Sequence, residues 1–183
     1  MLRRNRFMLS SSILAVLLCV SFATPGFADN PKRIGQQLSS FKATASQMKN
    51  EAGLLKSYTP SKRLSWQTHT SQLVVLRDQV NQLGKDLALL EANKPAATEN
   101  QAMAIDHARP HLETIAENLT LAIQLVDEDR RNVHSTEYVE AVNSVYSHAD
   151  DLHRKVDTIL DYEASKVRLD KLELPDVSNF QGS

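Results

Sequence analysis

IGQQLSSFKATASQMKNEAGLL, residues 34–55, places Ile34, Leu38, Phe41, Ala45, Met48, Ala52 and Leu55 at alternating steps of four and three. A period near 3.5 residues makes a heptad seam, one apolar stripe running almost straight down an α-helix. That stripe must meet others like it, because a single helix leaves it in water.

The same rhythm restarts three more times. Ser57-Tyr58-Thr59-Pro60 closes the first segment, and Pro60, which cannot continue a helix, suits the first turn of the next. The second seam reads Trp66, His69, Leu73, Leu76, Val80, Leu83, Leu87 and Leu90, with Gly84 weakening the helix slightly. Asn93-Lys94-Pro95 ends it, and Thr98 with Gln101 three residues on makes a capping box for the third helix. Ile105, Ala108, Leu112, Ile115, Leu119, Ala122 and Val126 form the third seam, which stops at the polar run 127–132. The fourth helix is expected to start near Ser135 or Thr136, with Glu137 favourable in its first turn. Its seam is Tyr138, Val142, Val145, Ala149, Leu152, Val156 and Ile159. Beyond that, Leu160, Ala164 and Val167 fit the face better than Glu163, so the register is expected to drift while the helix overhangs the others and ends near Lys171.

Each helix of roughly 30 residues is about 45 Å long. Short connections force successive helices back on one another, so the sequence predicts an all-α, antiparallel up-down-up-down four-helix bundle, the fourth helix longest. The expected organisation is a signal peptide over 1–28, the bundle over 29–172 and a C-terminal tail over 173–183. The segments share spacing but not residues, so they are not a sequence repeat.

The leader reading rests on Arg3, Arg4 and Arg6, then a mostly apolar run from Phe7 to Val20, then Gly26 and Ala28 at the two small-residue positions before a cut. Cleavage is placed after Ala28. The apolar run is too short to span a bilayer, so no stable membrane span is expected after cleavage, and the product belongs in the periplasm or outside the cell. Leu18 stands where a lipid-attachment motif before Cys19 wants a small residue. Cys19 is the chain's one cysteine, so the processed protein can form no disulfide and attach no haem through cysteines. Removing the leader's three arginines leaves 18 basic residues against 22 acidic ones, or −4. With no basic block and no phosphate-cradling glycine loop, nucleic acid is not an expected partner.

Candidate chemistry lies in the histidines. His107 and His111 share one face of the third helix, one turn apart. Folding the fourth helix back about a turn near Arg131 sets residues whose numbers add to about 260 side by side, which brings His111 toward His148. Asp151 follows His148 on the same face. His107, His111, His148 and Asp151 therefore form a candidate ligand set for zinc, copper or nickel between helices three and four. Histidines at the edge of a helix interface also serve simply as solvated or acid-bonded side chains. His69, alone on the second seam, has the placement of an axial haem ligand, but a lone seam histidine is more often neutral and hydrogen-bonded inside the core.

No Glu-x-x-His motif exists for di-iron chemistry; Asp150-Asp151-Leu152-His153 gives a single Asp-x-x-His. Neither a nucleophilic serine motif nor paired carboxylates in an apolar setting can be found. The residues thus predict no enzyme and no resident cofactor. They predict an exported bundle of the bacterial envelope with a structural or protein-interaction role, and as the alternative a transition-metal-binding bundle. The expected partner is another envelope protein or a second copy, for which Val75, Leu89 and Val139 lie off the main seam.

Overall fold

The structure, a computed structural model, describes residues 31–172, with side chains as far as 170. The expected leader and tail lie outside the described residues. Four α-helices carry the fold: α1 (Pro31–Tyr58), α2 (Trp66–Asn93), α3 (Glu99–Glu128) and α4 (Thr136–Leu172). Two 3₁₀ turns, Lys94–Ala96 and Arg130–His134, sit in the second and third connections. Among the described residues there is no strand.

The helices pack around one core, with α1 against α2 and α4, and α3 against α2 and α4. All seven seam residues of α1 are fully buried. The seams of α2 and α3 are buried as read, except that Trp66 is half-buried at the rim. Additional buried side chains, Gln72 on α2, Gln101 and Ala104 on α3 and Ala141 on α4, widen the stripes of those three helices beyond the two heptad positions. On α1 the seam positions alone meet both neighbours, whereas the other helices bury flanking positions as well. Close approach is helped at Gly53, where a Cβ would stand 3.3 Å from the Tyr146 ring of α4. The same ring receives the Lys56 ammonium 4.4 Å from its centroid.

Ion pairs line the edges of the α1–α4 contact, Lys42 to Asp157 at 2.9 Å and Lys49 to Asp150 at 3.0 Å. The bonded ammonium groups hold both carboxyls below their ordinary range. All four side chains are partly exposed, so such pairs stabilise by at most about 1 kcal/mol each.

Helix starts follow local capping chemistry. Thr98 Oγ1 accepts from the Gln101 N–H while Gln101 Oε1 accepts from the Thr98 N–H, the reciprocal box that the sequence predicts. Thr98 also donates to Glu163 at 2.8 Å, joining the start of α3 to α4. Thr98→Ala is expected to cost about 1 kcal/mol and lower the melting temperature by a few degrees, measured by circular dichroism. An unchanged melt would mean that the box and its link to α4 contribute nothing. Ser135 likewise accepts from the Tyr138 N–H at the start of α4.

Two expectations fail locally. Pro60 does not open α2; the helix begins six residues later at Trp66, capped by Ser65, whose hydroxyl accepts from the Thr68 N–H. Proline is tolerated in a first turn, whereas a capping hydroxyl satisfies a donor there, and the cap sets the boundary. The face of α4 also does not continue through Ala164 and Val167, which are exposed; from Asp161 to Asp170 every side chain is exposed except half-buried Glu163. Glu163 meets the cap that starts α3, and beyond that level α3 no longer covers α4.

Candidate functional site

Two histidine clusters emerge where helices meet. The first lies on the α3–α4 interface. His111 and His148 are both half-buried, with Nδ1 of one 3.2 Å from Nδ1 of the other, and their ring centroids are 5.4 Å apart at a 48° tilt. One ring donates in this contact and the other accepts. Burial pushes the His111 imidazole below its usual value, and the charges of Lys155, His148 and His107 push the same way. Asp151 pulls against them.

Of the four residues that the sequence groups together, the helices therefore join two directly. His107 stands exposed one turn before His111. Asp151, half-buried one turn after His148, is ion-paired to Arg154 on its own helix. Asp106, beside His107, pairs with Lys94 at 2.5 Å. Among the described residues, no three His, Cys, Asp or Glu side chains stand together as a metal-holding group. The i,i+3 spacing to Arg154 is a local sign of this contact, but Lys155 at i+4 is equally placed, so the sequence does not choose between the two.

The second cluster closes the end of the bundle where α1 stops, α2 begins and α3 turns into α4. His69 is fully buried, and its Nδ1 lies 3.0 Å from the hydroxyl oxygen of Tyr138, itself fully buried at the start of α4. Tyr58 from the end of α1 and His134 from the third connection set their rings edge-on to His69, at 5.9 and 6.3 Å. His69 Nε2 is buried with no hydrogen-bond partner. Desolvation lowers the His69 pKa, and the His134 charge adds to the effect. Desolvation likewise raises that of Tyr138, so the phenol stays protonated. Nearby, the Arg130 guanidinium lies 4.0 Å over the Trp66 ring, pinning the start of α2 to the third connection. His69 is thus held as a neutral core histidine touching three other segments of the chain.

Third, a shallow groove of about 510 Å³ runs between the first turns of α3 and the exposed end of α4. Met103, Tyr162 and Val167 give it an apolar floor. Glu99, Glu163 and Asp170 stand around it against the single cation Lys166. Sequence reading missed this groove because it arises from two segments distant in the chain.

Compared with protein-family models, with curated proteins and with solved structures, the chain matches none.

Proposed function

We propose that the chain is an exported, non-catalytic bundle of the bacterial envelope, in the periplasm or outside the cell, that acts by binding another protein. The arginine-led leader and the processing position after Ala28 support the compartment. The helices run up-down-up-down in this reading. Supporting it, moving along α1 from Lys42 to Lys49 moves back along α4 from Asp157 to Asp150, and moving along α3 from Thr98 to His111 moves back from Glu163 to His148.

The observation that carries the function is the exposed apolar end of α4. Tyr162 is 62% exposed and Leu169 59%, on a helix whose earlier turns bury their apolar side chains. The acidic rim of the adjoining groove favours a partner that presents apolar side chains flanked by Lys or Arg. A catalytic role is disfavoured by an interior filled with apolar side chains, where the buried polar ones are His69, Gln72 and Gln101. Among the described residues no helix is long and apolar enough to cross a membrane.

A photo-crosslinking residue at Tyr162 in living cells is expected to give an adduct of larger mass, and the same residue at exposed Leu89 on α2 none. Val167→Asp should remove the adduct without changing the melt. Equal adducts at both positions would defeat the reading, and an adduct of twice the chain mass would replace the foreign partner with a second copy.

A further inference from the structure

We propose that His111 and His148 form the two-imidazole heart of a divalent transition-metal site on the α3–α4 face, with Asp151 and His107 as the ligands that complete it. This is a separate claim from partner binding at the end of α4, and its test leaves that surface untouched.

The argument begins with the spacing of the two nitrogens. Metal–nitrogen bonds of about 2.0–2.1 Å at a tetrahedral angle hold two ligand nitrogens about 3.3 Å apart. His111 Nδ1 and His148 Nδ1 already stand 3.2 Å apart, both on long helices fixed by the core, so a metal would need little movement to bridge them. A hydrogen bond can use only one proton between these atoms. A cation in its place would be ligated by both lone pairs.

The remaining ligands lie one turn away along each helix, and since among the described residues no third side chain stands with the pair as it is, each completes the site only by changing its rotamer. His107 is exposed and would join the pair by rotating inward from the preceding turn of α3. Asp151 is held by Arg154, but the Arg154 side chain is 66% exposed, and a pair of that kind holds weakly. Swinging Asp151 from Arg154 to the metal exchanges one cation for another at the same carboxylate. Neutral imidazoles with one carboxylate suit zinc, nickel and copper(II), and water can occupy any position left open. Calcium and magnesium, which prefer oxygen donors, are not expected to bind.

Isothermal titration with zinc chloride tests this on the full chain, expressed with its leader, purified as the cell leaves it and carrying no histidine tag. One zinc per chain is expected. His111→Ala and His148→Ala should each weaken binding at least tenfold, while His134→Ala, at the far end of the bundle, leaves it unchanged. Arg154→Ala frees Asp151 and should tighten binding several-fold, an effect that loss of folding cannot imitate. Circular dichroism confirms helicity in each variant, and cobalt(II) substitution should give the visible absorption of a tetrahedral nitrogen–oxygen site. No heat with zinc, or equal affinity in His111→Ala and His148→Ala, overturns the site. Unchanged affinity in Arg154→Ala overturns the assignment of Asp151.

Discussion

Leu76→Asp and Leu119→Asp each abolish the cooperative thermal transition of this bundle. Leu76 is fully enclosed and Leu119 is 2% exposed, so either substitution places a carboxylate among apolar side chains that offer it no partner. The lost apolar burial alone costs about 2–3 kcal/mol, and the unpaired charge adds several more. Against a typical total of about 5–15 kcal/mol, one such change removes most or all of the stability. Leu89→Asp is the matched control, since Leu89 is 57% exposed and the change should stay within about 0.5 kcal/mol. Circular dichroism melts of the three variants decide the matter. Retained cooperative melting in both core variants would mean that the stripes on α2 and α3 do not form one interior.

Acidification weakens the fold well before the carboxylates titrate. His69 and His111 both have pKa values lowered by burial, so between the ordinary value near 6.5 and the lower folded value the unfolded chain binds more protons. Stability therefore falls as pH drops through about 6.5, and the fall ends once the folded-state histidines are protonated. Asp129, Asp150 and Asp157 act in a separate, lower window: their carboxyls are held down by Arg131, Lys49 and Lys42, Asp129 to about 2, and they withdraw their contribution only below the usual carboxylate range.

At His69 the cause is structural. An imidazolium has two N–H donors, and Tyr138 offers an oxygen to one while Nε2 has no acceptor. Melting temperature followed from pH 7.5 to 5 is expected to decline by several degrees. Tyr138→Phe leaves both His69 nitrogens unpaired and costs about 1–3 kcal/mol at neutral pH. The double variant His69→Phe, Tyr138→Phe removes both polar groups together, so it should recover most of that loss and flatten the acid slope. The slope that remains belongs to His111. An equally steep decline in the double variant would show that His69 is not the acid-sensitive group.

How much of this could be read along the chain follows from the range of each interaction. The α1 seam from Ile34 to Leu55 was legible in full because heptad spacing is local, and every residue on it is buried. The pairing of His111 with His148 was legible too, since a short connection and two regular helices fix which residues become neighbours. His69 was visible as an anomaly on its stripe, but its partner was not. Tyr138 reaches it across the diagonal of the bundle, from the first turn of α4 to the first turn of α2, and Asp151 pairs with Arg154 rather than with Lys155 one residue on. Val133, in the third connection, is buried without belonging to any seam.

The sequence by itself determined four amphipathic helices, their apolar stripes up to Ile159 on α4, and the hydroxyl cap at Thr98, and it narrowed the start of α4 to Ser135 or Thr136. These depend on side-chain period and on hydrogen bonds spanning three residues, which exist before any helix meets another. Only the tertiary structure decided where α4 loses its cover, which buried polar atoms find partners, and which histidines touch. Those outcomes depend on helix crossing and rotation, which a change of a few ångströms reassigns while leaving every local pattern intact.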